Sequence, residues 1–155
     1  MNVEYVKYLR FLLREKTYCV PLNRVKEVVT TTTVTAVPKV SSYFKGVLNL
    51  RGQIISVYDL GKKLGKPDIV IVPKKTCIII FEVNSVTLGA FVDEVISVNR
   101  YSENELVKDV TSVTTNIDGN TEGAVKNENG ELTLLINIES ALDMEVVRRQ
   151  MEEVI

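Results

Sequence analysis

The stretch GVLNLRGQIISVYDL, residues 46–60, consists of two short apolar runs separated by the pair Arg51-Gly52. This pattern predicts two antiparallel strands joined by a tight turn. Gly52 tolerates the positive φ that such a turn requires, so Arg51 is expected at the tip of a stiff hairpin. There it is either an ordinary solvated turn residue or part of a binding surface, and the hairpin alone does not distinguish the two.

The composition indicates an ordinary folded protein. Of the 155 residues, 45% are apolar and 25% are charged, which suits one domain or two very small ones. The formal net charge of -1 leaves no basic surplus to neutralise phosphates, so nucleic acid is not expected as a partner. No apolar run approaches the roughly 18 residues that span a bilayer, and residues 1–14 lack the features of a signal peptide. A cytoplasmic location is therefore predicted.

Residue types that carry catalysis are scarce. The chain has no histidine, the commonest near-neutral base and metal ligand. Cys19 and Cys77 lie far apart in apolar runs, where an unpaired cysteine serves as a small core residue. The stretch 61–66 lacks the spacing of a phosphate-binding loop and fits a helix that ends at a glycine. A binding protein without metal or cofactor is predicted, and a small-barrel enzyme or ligand carrier is the alternative from another class.

The rest of the chain also predicts strands connected by turns and short helices. A hairpin with a charged tip at 14–16 is expected over residues 5–20, and a threonine-rich strand over 30–37. The uniformly apolar run 76–81 predicts a strand covered on both faces. Further strands are predicted at 86–92, 123–126 and 132–136, followed by a C-terminal helix over 138–152.

The second half of the chain repeats the first. Similar residues recur at an offset of 70 and then at offsets of 77 and 78; the pairs are Phe11/Phe81, Val25/Val95, Val28/Val98, Gly46/Gly123, Gly52/Gly130, Asp59/Asn137 and Leu64/Leu142. Each half therefore has the order hairpin, strand, loop, hairpin, short helix. About five short strands in some 60 residues favour a small closed barrel, which leaves no open edges. Two such barrels are expected to share an interface and fold as one body.

The stretch 45–60, with Pro38 before it and the segment GAFVDEV at 89–95 after it, resembles the CheW family of chemotaxis adaptors. The most specific part is the GVxNLRG turn, followed by an apolar strand and Asp-Leu. The resemblance implies an all-β fold of two SH3-like five-stranded barrels with short connecting helices and a C-terminal helix. We expect a single domain over 1–155, with one barrel at about 14–73 and the other formed by 1–13 plus 74–137.

The resemblance also implies a function. It predicts a non-enzymatic adaptor that couples methyl-accepting chemoreceptors to the histidine kinase CheA in membrane-associated arrays in the cytoplasm, without a cofactor. Receptor tips are expected in a groove between the barrels, at positions matched by motif: Val25, Glu27, Arg51, Cys77 and Ile78. Contacts with the regulatory domain of the kinase are expected at the hydrophobic ends of both barrels: Tyr43, Phe44, Val95 and Val98.

Alternatives remain for these assignments. Arg51 either contacts the receptor or pairs with a carboxylate across the barrel junction and sets the angle between the barrels. Each valine is either a contact or an ordinary core residue. A CheW-like domain of CheV, or the regulatory domain of CheA, shares the fold. The length of the chain favours the adaptor, because CheV adds a receiver domain and CheA adds a phosphorylatable histidine and an ATP-binding domain.

Overall fold

The computed structural model describes residues 4–30, 34–36, 42–108, 120–142 and 149, and strands dominate this part of the chain. The strands are β1 (Tyr5–Leu13), β2 (Lys16–Pro21), β3 (Val25–Thr30), β4 (Phe44–Leu50), β5 (Gln53–Asp59), β6 (Cys77–Val83), β7 (Val86–Val92), β8 (Glu94–Ser102), β9 (Leu106–Val107), β10 (Thr121–Lys126) and β11 (Leu132–Ile136). The short helices are α1 (Leu60–Lys63) and α2 (Ile138–Leu142), with 3-10 turns at Leu22–Arg24 and Glu103–Glu105. The all-β prediction is confirmed.

Two predicted elements lie partly outside the described residues. The predicted C-terminal helix over 138–152 begins as α2, and its positions 143–148 and 150–152 are not among the described residues. Of the predicted threonine-rich strand, Thr30 ends β3, and Thr35 forms a bridge with Val47 of β4. Positions 31–33 and 37 of that strand are likewise outside the described ranges. In the part of the chain that is described, no helix has the length and apolar character needed to cross a membrane.

The strands form two mixed sheets. One has six strands in the order β8-β1-β2-β11-β10-β9, and the other has five in the order β3-β6-β7-β5-β4. Neighbours are antiparallel except β2 with β11 and β5 with β7, which are parallel. The sixth strand of the first sheet, β9, is only two residues long.

The repeat seen in the sequence is also a repeat of strand positions. In chain order, β1, β2, β3, β4, β5 and α1 correspond to β6, β7, β8, β10, β11 and α2. The five-stranded sheet has the order β3-β6-β7-β5-β4. Replacing each of these strands by its counterpart in the other half gives β8-β1-β2-β11-β10, which is the order of the first five strands of the other sheet. Each sheet therefore combines the first hairpin of one half with the next three strands of the other half.

This exchange differs from the predicted division into 14–73 and 1–13 plus 74–137. That division separates β1 from β2, whereas the two strands pair with each other in the six-stranded sheet. It also keeps β6 and β7 apart from β3 and β5, to which they are hydrogen-bonded. The physical reason is the tight turn after β1, where Arg14 has a φ of 59°, because two strands joined by such a turn remain neighbours.

Because side chains alternate between the faces of each strand, the buried side chains of the described residues form three cores. A shared core lies between the sheets and contains Phe11 and Tyr18 of one sheet with Phe81 and Leu88 of the other. The opposite face of the five-stranded sheet has its own core of Leu48, Ile55, Val57, Ile78, Ile80 and Phe91. The opposite face of the six-stranded sheet buries Tyr8, Cys19, Tyr101, Val125 and Leu135. Because successive strand residues face opposite sides, β6 contributes to two cores at once, as its run of apolar residues predicts.

Candidate functional site

The hairpin of β4 and β5 presents Arg51 at its tip. The strands pair up to Leu50 and Gln53, and the turn between them has positive φ at both Arg51 (52°) and Gly52 (85°). Such a turn matches the twist of the strands that it joins. The amide of Gly52 also donates a hydrogen bond to Asn49 Oδ1 at 3.0 Å. The predicted stiff hairpin with a cation at its tip is thus present.

Arg51 pairs with Glu27, another residue predicted to bind the receptor. Arg51 Nη1 lies 2.7 Å from Glu27 Oε2, and Nη2 lies 3.1 Å from Oε1, which is a bidentate contact. Hydrogen bonds from Arg51 hold the pKa of the Glu27 carboxyl below its usual value, and the same bonds raise the pKa of Arg51. The guanidinium side chain is 75% exposed and the glutamate 24%, so the pair forms part of the surface.

The contact also reports the curvature of the five-stranded sheet. Glu27 lies on the edge strand β3, whereas Arg51 follows β4, the strand at the other edge. In a flat sheet β3 and β4 would be separated by four strand spacings, about 19 Å. The bidentate contact therefore indicates that the sheet curls enough to bring the hairpin tip within side-chain reach of β3. Among the described residues, the ion pair of Arg51 therefore lies within one sheet and does not cross the junction of the two sheets.

The arginine at that junction is Arg14, in the turn between β1 and β2. Its Nη2 donates to both carboxylate oxygens of Asp59, at 2.7 and 2.9 Å, and its Nη1 donates to Asp93 Oδ2 at 2.7 Å. Its Nε donates to the carbonyl of Pro67 at 2.9 Å, and its backbone amide donates to Asp93 Oδ2 at 2.7 Å. Hydrogen bonds to Asp59 and Asp93 outweigh the opposing effect of burial and raise the pKa of Arg14.

Asp59 is the buried centre of this cluster. It has no exposed side-chain surface and, besides binding Arg14, accepts hydrogen bonds from the amides of Lys62 and Ile69. The first of these hydrogen bonds caps α1. The ion pairs were not predicted from the sequence, since Arg14 is 45 residues from Asp59 and 79 from Asp93. The only available signal was a charged hairpin tip, and it did not identify a partner.

The other predicted receptor contacts are less accessible. Val25 is partly buried at the start of β3 and packs against the shared core. Cys77 is 7% exposed and also belongs to the shared core. Ile78 has no exposed surface and lies in the core of the five-stranded sheet, so its prediction as a surface contact is corrected. Cys77 and Ile78 are adjacent strand residues and face opposite sides, which explains why one surface does not contain both.

The predicted kinase contacts Tyr43 and Phe44 also separate. Phe44 is 6% exposed and packs edge-on against Tyr58, with ring centroids 5.1 Å apart. Tyr43 is partly exposed, and Lys63 Nζ lies 5.0 Å from the centre of its ring. Of the two aromatic residues, Tyr43 is the one that is accessible to a partner.

On β8 the two predicted valines face different environments. Val95 is partly buried and packs against the shared core. Val98 is 52% exposed, and Ile96 on the same strand is 44% exposed. Ile96 was not predicted from the sequence, although the alternation of residues along β8 groups it with Val98. Because β8 is an edge strand, this apolar pair lies at a boundary of the six-stranded sheet.

The cysteines lack the features of reactive groups. Burial raises the pKa of the Cys19 thiol to about 12, and burial also raises that of Cys77. A thiol with a raised pKa carries little of the nucleophilic thiolate. No group of three or more His, Cys, Asp or Glu side chains that could hold a metal ion occurs in the described ranges.

Comparisons with known proteins identify the family. The sequence model of the CheW-like domain matches residues 7–146. The chemotaxis protein CheW of Bacillus subtilis is 34% identical over 139 residues, covering 90% of this chain and 88% of that protein. The Thermotoga maritima CheW is 32% identical over 135 residues, with 87% and 86% covered. The crystal structure of the scaffolding protein TtCheW from Thermoanaerobacter tengcongensis superimposes with a TM-score of 0.77 at 31% identity, covering 87% of this chain and 90% of that one. The chain therefore belongs to the CheW family of chemotaxis adaptors.

Proposed function

We propose that this protein couples methyl-accepting chemoreceptors to the histidine kinase CheA and so regulates the kinase, without catalytic activity of its own. The observation that carries the proposal is the Glu27–Arg51 pair. Two residues that the family resemblance assigns to receptor binding lie far apart in the sequence and form one bidentate contact at the surface. Family membership supports the adaptor role, and the pair supports the position of the receptor site.

The geometry of the pair suits recognition of a protein segment. Glu27 engages Nη1 and Nη2 of Arg51 and thereby orients the planar guanidinium, which has five N–H donors in a fixed fork. With 75% of its side chain exposed, Arg51 retains donors directed to solvent that a carboxylate or backbone carbonyl of a receptor tip can accept. Val25, at the start of the same strand, packs against the shared core across a register shift from Glu27, so it lies beside the ion pair and not on the same face of the sheet.

For the kinase we propose two apolar surfaces related by the repeat. The first consists of Ile96 and Val98 on the edge strand β8. At the equivalent position of the other half, Val28 on the edge strand β3 is 38% exposed. Similar edges on the two sheets allow one protein to contact kinase domains on both sides, as alternation around a ring requires. Tyr43 immediately precedes β4, at the opposite edge of the same sheet, and its partly exposed side chain adds a separate proposed contact with the kinase.

These partners imply a location and a range of affinities. The proposed location is the cytoplasm, with recruitment to membrane-associated receptor arrays. Surfaces made of a few apolar residues and one exposed ion pair favour small, transient interfaces. We expect micromolar binding to each isolated partner, strengthened by multiple contacts in the array.

The test is a titration of isotope-labelled protein, followed by backbone amide shifts. A receptor cytoplasmic tip fragment and the regulatory domain of CheA are added in separate experiments. The proposal expects the receptor fragment to shift amides near Val25, Glu27 and Arg51, and the kinase domain to shift those near Tyr43, Ile96 and Val98. Absence of shifts with either partner would refute the coupling role. Coincident shifts from the two partners would refute the separate sites.

A further inference from the structure

The cluster around Arg14 occupies one end of the junction between the sheets. Arg14 lies in the hairpin turn of the six-stranded sheet, whereas Asp59 ends β5 of the five-stranded sheet. Asp93 is the single residue between β7 and β8, where the chain passes from one sheet to the other. Arg14 thus joins the turn of one sheet to a strand end of the other and to the crossover between them.

The local structure leaves room for this cluster. Gly61, in the first turn of α1, lies against the guanidinium, and a Cβ added there would be 2.9 Å from Arg14 Cζ. The Arg14 side chain is 15% exposed and Asp59 is fully buried. Four donor groups of Arg14, including its backbone amide, are engaged by three different residues. Such a contact constrains orientation more than a single surface ion pair does.

The internal repeat provides a comparison within the same molecule. At the offsets of the repeat, Arg14 corresponds to Asn84, Asp59 to Asn137 and Asp93 to Asn23, so all three charged residues are replaced by asparagine. Asn137 caps α2 and donates a hydrogen bond to Glu122. Within the described chain, no hydrogen bond joins these three asparagines to one another. The charged cluster therefore exists at one end of the junction and not at its counterpart.

The counterpart end is more open. Its ion pair, between Arg24 and Glu139 at 2.8 Å, has side chains that are 40% and 37% exposed. Beside this pair lies a cleft of about 120 Å³, which is also lined by Pro21 and Ile136. Exposed pairs of this kind contribute little to stability because water and salt screen them. The two ends of the junction thus differ in how firmly they connect the sheets.

We propose that Arg14 is a positioning residue that sets the orientation of the proposed receptor surface relative to the proposed kinase surface. This inference rests on the proposed coupling function. Asp59 ends the strand that begins beside Arg51, and Asp93 immediately precedes the strand that carries Ile96 and Val98. By holding both carboxylates, Arg14 connects the receptor-contacting hairpin to the kinase-contacting edge. Arg14 belongs to neither proposed surface, so its loss is expected to uncouple the two surfaces without removing either.

The test compares the variants Arg14→Lys and Asp93→Asn with wild-type protein. Lysine keeps the charge but lacks the fork that engages Asp59 and Asp93 together. Asp93→Asn leaves the contact between Arg14 and Asp59, so the test does not depend on one variant folding. Glu139→Gln is the matched control, since it breaks the exposed ion pair at the opposite end. Unfolding in urea confirms that each variant is folded under the assay conditions.

Three quantities are measured on the full chain. They are the dissociation constants for the receptor fragment and the kinase regulatory domain, receptor-dependent CheA activity in reconstituted assemblies, and the distance distribution between spin labels on the two sheets. Labels at Glu82→Cys and Lys126→Cys replace exposed residues, one in each sheet, while the native Cys19 and Cys77 are buried. A variant that is less stable but still folded would not broaden the distribution of distances between the two labels. This measurement therefore distinguishes a change in sheet orientation from a loss of stability.

For both junction variants, the dissociation constant for each partner should stay within twofold of the wild-type value. The receptor-dependent activity of CheA should fall at least fivefold, and the distribution of distances between the labels should broaden. The control variant matches wild type in all three. Wild-type activity and an unchanged distribution in both folded junction variants would overturn the inference. Failure of the proposed function would be recognised by a different result, which is that the wild-type protein binds neither partner. In that case Arg14 has no coupling role, even if the distance distribution of the variants broadens.

Discussion

Glu27 Oε2 and Arg51 Nη1 are 2.7 Å apart, although their residues belong to opposite edges of the five-stranded sheet. Two conditions bring them together. The sheet curls, and the positive-φ turn holds the arginine at the end of the hairpin. The exposed pair and the buried contacts that shape the fold therefore differ in what their removal changes.

Arg51→Ala should weaken binding of a receptor tip fragment at least about tenfold, a typical loss for a central arginine of an interface. The thermal unfolding midpoint should stay near the wild-type value, because the guanidinium is 75% exposed. Isothermal titration and a thermal melt measure the two effects. Lys126→Ala, at an exposed position on the six-stranded sheet, is the control and should bind normally. A large fall in the midpoint for Arg51→Ala would instead indicate a structural role.

The carboxyl of Glu27 should titrate below its ordinary pKa of about 4.3, because hydrogen bonds from Arg51 favour the ionised form. Since the folded-state pKa is depressed, the contribution of this pair to stability is present above the unfolded pKa and is lost as the pH falls through the folded value. Carbon chemical shifts of the carboxyl follow the titration. Arg51→Ala should raise the midpoint toward the ordinary value, and Arg100→Ala should not. Equal midpoints in wild type and Arg51→Ala would contradict the contact.

Asp59→Asn should destabilise the protein by about 3–5 kcal/mol, because it removes a fully buried carboxylate that is one of the two charge partners of an arginine only 15% exposed. Urea unfolding measures the free energy, and an unchanged m-value shows that the comparison is valid. Glu139→Gln breaks an exposed pair and should change stability by less than about 0.5 kcal/mol. A loss below about 1 kcal/mol for Asp59→Asn would show that the cluster is dispensable for folding.

Gly46→Ala should cost about 2 kcal/mol or more. A Cβ at this position would lie 2.0 Å from the carbonyl oxygen of Thr35, and the φ of +138° is unfavourable for alanine. Gly52→Ala is the matched control, because Gly52 also has positive φ (+85°) but has nothing within 4 Å of the added atom. It should cost only the backbone strain, about 1–2 kcal/mol. Chemical denaturation distinguishes the two, and an equal cost would contradict the close approach at Gly46.

Val98→Glu should reduce binding of the kinase regulatory domain at least about tenfold, because it places a charge in the apolar surface of the edge strand β8. The side chain is 52% exposed, so the free energy of unfolding should change by less than about 0.5 kcal/mol. Binding of the receptor fragment, measured in parallel, should be unaffected. Normal kinase binding by this variant would remove β8 from the proposed interface.

The sequence predicted local features well. The hairpin tip at Arg51, the hairpin over residues 5–20 and the strand at 76–81 depend on neighbouring residues, so they can be recognised in short windows. Site residues were predicted less evenly. Glu27 and Arg51 lie at the surface together, but Ile78 is in a core, and the exposed Ile96 was missed. Which face of a strand is buried depends on what packs against it, and a short window does not contain that information.

By itself, the amino-acid sequence determined the all-β class, the tight turns and the duplication. Strand preference, turn chemistry and repeat spacing depend on residues that are adjacent or regularly spaced in the chain. Only the tertiary structure decided that the halves exchange their first hairpins, that Arg14 rather than Arg51 lies at the junction, and that Arg51 pairs with Glu27. These outcomes depend on which strand edges meet and which charges are buried together. Such choices are made by contacts between residues far apart in the chain, where burial and geometry outweigh local preference.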